Sequence, residues 1–60
     1  MKVEGIDGKM HSITKSFYES KKSAAYQRGA RGASAIWQYK FEEEAYNKGE
    51  EDTRRYLENK

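Results

Sequence analysis

The stretch AAYQRGARGA at residues 24–33 decides how the chain can fold, because it places Gly29 and Gly32 in an otherwise helical pattern. The stretch EAYNKGEEDT at residues 44–53 repeats its order of alanine, tyrosine, amide, cation and glycine, ending at Gly49. A glycine that follows a cation can end a helix in the left-handed conformation. A glycine inside a helix can instead let a second backbone approach closely. The sequence is compatible with both roles.

The repeat places two small residues four positions apart beside a tyrosine. Ala25 and Gly29 form one such pair, and Ala45 and Gly49 form the other. Residues four apart lie on the same face of a helix. We therefore expect these four residues to mark two surfaces where helices pack closely, and chance similarity between two helix ends is the equal alternative.

Helical signals begin near residue 16. Ser16 and Glu19 fit the Ser-x-x-Glu capping box that starts many helices, and the chain contains no proline. Gly29 and Gly32 would each cost about 1 kcal/mol inside a helix relative to alanine, so they predict a hinge. The expected fold is mostly α, a two-helix hairpin in residues 16–60, with helices near 17–28 and 35–57 and the second one long and either continuous or bent at Gly49.

Residues 1–15 have the only strand-like composition in the chain. The dipeptide Asp7-Gly8 favours a type I′ hairpin turn, in which both central residues need a positive φ. A two-stranded hairpin alone is marginal in water. This N-terminal extended or β-hairpin segment is therefore expected to pack on the helical domain of residues 16–60, to pair with another chain or to stay loose.

Composition restricts the class of protein. The chain has 60 residues, 35% of them hydrophobic and 37% charged, and no cysteine, so one small domain must fold without covalent or metal staples. Eight aromatic residues must supply much of the core, and a shallow aromatic core is typical of a protein completed by a partner or a second copy. The lack of cysteine and of a bilayer-length apolar run favours a cytoplasmic protein with no membrane partner.

No residues have the spacing of a catalytic or metal-binding site. His11 is the only histidine, and the neighbouring Glu42, Glu43 and Glu44 would point about 100° apart on a helix. The sequence lacks zinc-ligand spacing and a calcium loop, and GARGA lacks the Gly-Lys-Ser/Thr of a phosphate-binding loop. We expect no enzyme activity, no cofactor and no metal.

Aromatic and small residues recur every three or four positions between Tyr26 and Tyr56 and form an apolar stripe. Tryptophan, tyrosine and arginine are the side chains that most often anchor interfaces. The favoured function is a small non-enzymatic adaptor or inhibitor, such as a phage or bacterial accessory protein, that modulates a host protein or complex. A purely structural, self-associating helical hairpin that forms a homodimer is an alternative. The predicted partner-binding residues are Tyr26, Trp37, Phe41, Tyr46 and Tyr56.

Charge is unevenly distributed along the chain. Residues 1–40 contain eight Lys or Arg and three acids, whereas residues 41–60 contain four and seven. Cations interleaved with tyrosines can hold phosphates while the rings stack on unpaired bases. The alternative function is therefore RNA, ribosome or DNA binding through a basic helix face. Its predicted residues are Lys21, Lys22, Arg28, Arg31 and Lys40.

The runs YQRGARGAS and AYNKGEED resemble ribosome modulation factor, a family of small two-helix proteins that contact ribosomal RNA. The resemblance covers under half of the chain, which lacks the family's proline-containing linker, carries an N-terminal extension and ends in an acidic segment. The resemblance implies a first run of matching residues at Tyr26, Arg28, Gly29, Arg31 and Gly32 and a second run at Tyr46 and Gly49.

The order strand, helix, glycine turn and helix is similar to that of ribbon-helix-helix repressors. In that family a paired ribbon enters the major groove of DNA. The resemblance implies that Lys9, His11 and Ile13, or their neighbours, would contact the bases.

Overall fold

The computed structural model describes residues 1–34 and 36–59. Its elements, in chain order, are β1 (Lys2–Glu4), β2 (Met10–Ser12), α1 (Lys15–Arg31) and α2 (Lys40–Glu58). The two strands form one antiparallel sheet, and the two helices make up most of the rest of the described chain. The prediction of a mostly α fold, in which two helices follow a short β-hairpin, is confirmed.

The β-hairpin closes through a loop at residues 5–9. The N–H of Gly5 donates to the carbonyl of Lys9 (2.8 Å), and Gly8 has a φ of 83°. Among the described residues, no residue other than glycine has a positive φ. The type I′ turn predicted for Asp7-Gly8 is therefore wrong, because it needs a positive φ at Asp7 as well. The strands pair in the register Lys2–Ser12, Val3–His11 and Glu4–Met10.

Helix α1 is capped by Thr14. The Thr14 Oγ1 accepts a hydrogen bond from the N–H of Phe17 (3.1 Å), and Thr14 itself is extended, with φ −81° and ψ 157°. The prediction of a capping box at Ser16 and Glu19 is wrong, because the extended backbone of the β-hairpin ends at Thr14 and Ser16 already lies in the first helical turn. A side-chain oxygen at this position satisfies one of the free backbone donors of the helix.

Helix α1 continues through Gly29 and ends at Arg31, so the helix end predicted near residue 28 is wrong. Gly32 is the C-cap, with a left-handed φ of 70°, and its N–H donates to the carbonyls of Arg28 and Gly29. Only the second glycine of the pair therefore ends the helix. Gly29 is buried within it.

Residues 32–39 form a linker between the helices. The predicted start of the second helix, Ala35, lies outside the described residues, and residues 36–39 are not helical. The N–H of Ile6 donates to the carbonyl of Gln38 (2.9 Å), and Gly5 pairs with Tyr39 in an isolated β-bridge. The end of the linker is thus held against the β-hairpin in an extended conformation.

Helix α2 begins at Lys40, and the side chain of Glu42 in its first turn forms hydrogen bonds with the end of the linker. The Glu42 carboxylate, which is buried, accepts hydrogen bonds from the N–H of Gln38 (3.1 Å) and of Tyr39 (3.3 Å). These bonds satisfy backbone donors that would otherwise be free at the helix start. From Lys40 the helix runs without interruption through Gly49.

The two helices run in the same direction. Tyr18 contacts Phe41 near the start of both helices, with ring centroids 4.5 Å apart, and Thr53 Oγ1 donates to the carbonyl of Ala30 (3.1 Å) further along. A linker of eight residues can span about 28 Å when extended, and the 17 residues of α1 are about 25 Å long. The linker can therefore return the chain to the hairpin end before α2 begins.

The helices cross with their backbones in contact. A Cβ at Gly29 would overlap the backbone carbonyl oxygen of Tyr46, and a Cβ at Gly49 would overlap that of Tyr26. Both glycines are buried. The structure thus places the glycines of the two repeated stretches on opposite sides of one helix crossing, where only a residue without a side chain fits.

The core around this crossing is shallow. Ala25 (5% exposed) and Ala45 (6%) are the only buried hydrophobic side chains in the described part of the chain, one from each helix. The aromatic rings along the helix pair are half-buried and contact one another, as in the pair Trp37–Tyr46 near the crossing and the pair Tyr18–Phe41 near the helix starts. Because so little apolar surface is enclosed, the close approach of the two backbones must contribute much of the packing.

We predict that Gly29→Ala and Gly49→Ala each lower the free energy of unfolding. Inside a helix with open space around it, alanine would stabilise by about 1 kcal/mol relative to glycine. Here the overlap of the new Cβ with the facing backbone should outweigh that gain and leave a net cost of about 1–3 kcal/mol. Urea unfolding followed by circular dichroism measures the change.

Ser20→Ala, at an exposed position of α1, is the control and should change stability by no more than about 0.5 kcal/mol. A glycine variant more stable than the wild type would contradict the close approach of the backbones.

Candidate nucleic-acid interface

Helix α1 carries a net charge of +4, from five cations and one acid. Within residues 1–34 and 36–59, none of these five cations takes part in an ion pair. Their charged groups are therefore available to an anionic ligand. The five cations are Lys15, Lys21, Lys22, Arg28 and Arg31.

Three of these cations share one side of α1 with an aromatic ring. Phe17, Lys21, Arg28 and Arg31 follow one another by four, seven and three positions, which places them on one face of a helix. Arg28 and Arg31 are exposed, Lys21 is half-buried and Phe17 is 39% exposed. We call this set the basic face. It presents cations and a ring along one side of the helix, the arrangement that suits a phosphate backbone with unpaired bases.

Two lysines of α1 lie over aromatic rings. The Nζ of Lys21 is 5.5 Å from the centroid of the Phe17 ring, and the Nζ of Lys22 is 5.6 Å from that of Tyr18. A cation over the face of a ring is attracted by the negative face of its π-system. These contacts hold both ammonium groups near the helix without neutralising their charge.

Two of the residues predicted for nucleic-acid binding lie outside the basic face. Lys22 is one position after Lys21 and so points about 100° away on the helix. The Nζ of Lys40, on α2, forms an ion pair with Glu4 (3.2 Å). The structure therefore brings Lys21, Arg28 and Arg31 together and leaves Lys40 apart from them.

Helix α2 has the opposite charge. It contains four cations and seven acids, a net charge of −3. Two of its cations pair with acids one turn earlier, Arg54 with Glu50 (3.9 Å) and Arg55 with Glu51 (2.7 Å). The two parallel helices thus give the molecule one basic and one acidic side.

Most of the predicted partner-binding rings contact groups within the chain. The Tyr46 hydroxyl donates to the carbonyl of Ala33 (2.8 Å), and its ring packs against Trp37, with centroids 4.6 Å apart. The Tyr26 hydroxyl donates to a carboxylate oxygen of Asp52 (2.7 Å) and so joins the two helices. Tyr26, Trp37 and Tyr46 are each half-buried, so a partner could reach only their outer surfaces.

Phe41, another of the predicted partner-binding residues, contacts two other rings. It contacts Tyr18 and also stacks on Tyr39, with centroids 5.5 Å apart. Tyr56, in contrast, is 61% exposed near the end of α2. The five predicted partner-binding residues therefore do not form one continuous stripe, because the linker interrupts the helical spacing between Arg31 and Lys40. Their role in binding stays a prediction.

Sequence reasoning missed the most exposed apolar side chains. Ile36 in the linker is 93% exposed, and Leu57 at the end of α2 is 64% exposed. Neither residue belongs to the apolar stripe proposed from helical spacing. That departure from the stripe is the only signal in the sequence that could have marked them as surface residues.

A cleft of about 490 Å³ lies between the β-hairpin loop and the end of the linker. His11 Nε2 is 3.4 Å from Asp7 Oδ1, and the His11 ring meets the Tyr39 ring edge-on. The hydrogen bond from the backbone N–H of Lys9, and to a lesser extent His11, lowers the pKa of Asp7 below its ordinary value. The residues lining the cleft, Ile6, Asp7, His11, Gln38 and Tyr39, offer no serine or cysteine nucleophile to pair with the histidine.

Two further kinds of site are absent from the described residues. They contain no cluster of three or more histidine, cysteine, aspartate or glutamate side chains placed to hold a metal ion. In the same residues, neither helix combines the length and the apolar composition needed to cross a bilayer.

No protein-family model, curated protein or solved structure matches the chain. The similarities to ribosome modulation factor and to ribbon-helix-helix repressors therefore rest on the short motifs that suggested them. Any function for the basic face has to be argued from its own residues.

We predict that Tyr26→Phe lowers the melting temperature near pH 8 and that this difference from the wild type shrinks above about pH 11. The hydrogen bond to Asp52 raises the pKa of Tyr26 above its ordinary value of 10.0. The bond needs the protonated hydroxyl, so its stabilisation is present below the ordinary pKa and is lost as the pH rises through the raised pKa. Thermal unfolding of both proteins at the two pH values measures the effect.

Tyr18→Phe is the matched control, because its ring packs on Phe41 and the variant keeps that ring. It should show the same difference from the wild type at both pH values. Identical melting of Tyr26→Phe and the wild type near pH 8 would count against a stabilising Tyr26–Asp52 bond.

Proposed function

We propose that the chain is a small non-enzymatic binding protein whose helix α1 docks on single-stranded or unpaired RNA in the cytoplasm. The observation that supports this most strongly is the absence of ion pairs at the five α1 cations within the described residues, while α2 pairs two of its four cations internally. Cations that form no ion pair can take up phosphates without first breaking an internal salt bridge. The basic face supplies three of them on one side of the helix.

The acidic character of α2 supports a defined orientation. A phosphate backbone is repelled by the net charge of −3 on α2 and attracted by the net charge of +4 on α1. With the helices side by side, the nucleic acid can approach from one side only. The partner that fits this distribution of charge is an extended polyanion that lies along α1.

The aromatic rings near the cations favour unpaired over duplex nucleic acid. Phe17 is part of the basic face and lies under Lys21, and Tyr18 lies under Lys22. Rings beside cations can stack on bases that are not already paired, whereas the bases of a duplex are stacked on each other. The overall charge of +2 is small, so we expect both the salt-dependent phosphate contacts and the stacking of bases on the rings to contribute to the affinity for RNA.

We predict that a fluorescein-labelled 12-nucleotide uridine RNA binds the protein at 50 mM salt, as measured by fluorescence anisotropy. Three phosphate contacts would give a slope of about −2 in a plot of log affinity against log salt, or about a twentyfold loss of affinity between 50 and 200 mM. The triple variant Lys21→Ala, Arg28→Ala, Arg31→Ala should lose most of the binding and most of this salt dependence.

The matched control is the double variant Arg54→Ala, Arg55→Ala, which removes two exposed cations from α2. It should bind the RNA within about twofold of the wild type, because these cations already have acidic partners. No binding of the RNA at 50 mM salt, or an equal loss in the two multiple variants, would overturn the proposal. A thymidine DNA of the same length tests whether DNA is also bound.

A second candidate function is the binding of a host protein or complex by a phage or bacterial adaptor or inhibitor. The exposed apolar side chains at the end of α2, Tyr56 and Leu57, favour it, because a partner protein can bury such groups. These residues lie at the end of the molecule away from the β-hairpin. A protein partner there would not compete for the basic face along most of α1.

We predict for this second candidate that an affinity-tagged chain captures a protein from a bacterial lysate after nuclease treatment, and that Leu57→Lys abolishes the capture. Lys48→Ala, an exposed change in the same helix, should leave it intact. Loss of every captured protein on nuclease treatment would remove this candidate and would be the result expected of an RNA-binding protein.

A further inference from the structure

The linker carries Trp37, the single tryptophan of the chain, along the surface of the helix pair. The Trp37 ring packs against Tyr46 of α2, with centroids 4.6 Å apart, and the Tyr46 hydroxyl donates to the carbonyl of Ala33 (2.8 Å). The linker therefore passes over Tyr46 between Ala33 and Trp37. Trp37 is half-buried and the adjacent Ile36 is 93% exposed, so this part of the linker lies at the molecular surface.

Tyr26 and Tyr46 lie on opposite flanks of the helix pair. Each tyrosine is three positions before a glycine of the crossing, and the glycine contacts are reciprocal. Gly29 meets the backbone of Tyr46, and Gly49 meets the backbone of Tyr26. Parallel helices that contact each other through equivalent positions are related by an approximate two-fold axis along the pair. Equivalent side chains therefore point to opposite flanks, Tyr26 to one and Tyr46 to the other.

The basic face lies on the same flank as Tyr46. Successive residues of a helix are about 100° apart, so Arg28 is about 100° from Gly29 in one direction and Tyr26 is about 60° from it in the other. Lys21 is about 80° from Gly29 in the direction of Arg28. Because the two tyrosines point to opposite flanks, these cations share their flank with Tyr46 and with the linker that packs on it.

Two contacts show that the linker runs beside the basic face. The ring of Tyr39, at the end of the linker, meets the Phe17 ring of the basic face edge-on, with centroids 6.2 Å apart. The backbone carbonyl of Tyr46 faces Gly29, which follows Arg28 in the sequence. The tryptophan that packs on Tyr46 is therefore close to the level of Arg28 along the helix pair.

The charges on this flank determine how an RNA strand can lie across it. Three charged side chains of α2 are about 100–140° from Gly49 in the direction of Tyr46. They are Glu43, Glu50 and Arg54, with a net charge of −1. Phosphates are attracted by the cations of α1 and repelled by this side of α2, whereas uncharged bases are not repelled. A strand on this flank therefore has its phosphates over α1 and its bases towards α2 and the linker.

We infer that Trp37 is the platform on which an unpaired base stacks while phosphates of the same strand contact the basic face, an inference that rests on the proposed function. The base lies on the exposed part of the indole ring, and the buried part packs on Tyr46. This packing holds the ring in place before the RNA binds, which lowers the entropy lost on stacking. Every base has a π-face, so the platform accepts any unpaired base.

The fluorescence of Trp37 tests this inference in the unmodified full chain, because no other tryptophan contributes to the emission. Titration with the 12-nucleotide uridine RNA at 50 mM salt should quench the emission, with the same midpoint as the fluorescence anisotropy of the labelled RNA. Inorganic polyphosphate of similar length carries negative charge but no bases. It should displace the RNA and restore the emission of the free protein.

Trp37→Leu should weaken RNA binding by about fivefold to tenfold, because leucine fills space against Tyr46 but offers no π-face to a base. The slope of log affinity against log salt should keep its wild-type value, because the phosphate contacts on α1 remain. Trp37→Phe should recover most of the affinity. Ser34→Ala, an exposed change in the same linker, should bind the RNA as the wild type does.

RNA binding without a change in the Trp37 emission, or equal quenching by polyphosphate, overturns the inference and leaves the proposed function standing. Binding of the RNA by a folded Trp37→Leu variant within about twofold of the wild type has the same consequence. The titration of the wild-type chain decides the matter even where Trp37→Leu weakens folding. Failure of the RNA to bind the wild type overturns both the inference and the proposed function.

Discussion

The contact between the backbones of α1 and α2 at Gly29 and Gly49 is the constraint on which the rest of the structure depends. With Ala25 and Ala45 as the only buried hydrophobic side chains among the described residues, the chain has no large apolar core to fix the helix pair. Because the two residues at the crossing are glycines, the main chains of the helices come into contact there and the aromatic side chains pack around the contact. The Tyr26 hydroxyl then forms a hydrogen bond from α1 to Asp52 of α2, and the Tyr46 hydroxyl forms one from α2 to the carbonyl of Ala33 in the linker.

The parallel arrangement of the two helices affects how charge is distributed on the surface of the molecule. Both helices end away from the β-hairpin, so their negative dipole ends lie on the same side of the molecule, where Arg28, Arg31 and Arg55 occupy the last turns. Helix α1 carries a net charge of +4 and α2 a net charge of −3, so a polyanion is attracted to the α1 side of the pair.

Local signals predicted much of this fold, and contacts between distant residues decided the remainder. The helices and the hairpin followed from apolar spacing, glycine placement and turn dipeptides. Helix α1 is capped by Thr14 and not by Ser16, because the extended backbone of the β-hairpin continues to Thr14. The position at which the hairpin ends could not be read from the local sequence. Residues 36–39 at the end of the linker were predicted to be helical, because their extended state depends on Gly5 and Ile6, far away in the chain. In the candidate site, spacing alone aligned Lys21 with Arg28 and Arg31, but nothing local indicated that Lys40 pairs with Glu4.

The direction of α2 also bears on how quickly the protein reaches its native state. In an antiparallel helix pair, contacts between residues close in sequence form first beside the turn, and contacts further along the helices then form next to them. Here the bond between Thr53 and Ala30 joins residues 23 positions apart, and the pairs Tyr18–Phe41 and Tyr26–Gly49 have the same separation. These interhelical contacts, and those of Gly29 with Tyr46 and Tyr26 with Asp52, therefore require closure of loops of 17 to 26 positions. This small helical protein should consequently have a higher contact order, and fold more slowly, than its size and helix content suggest.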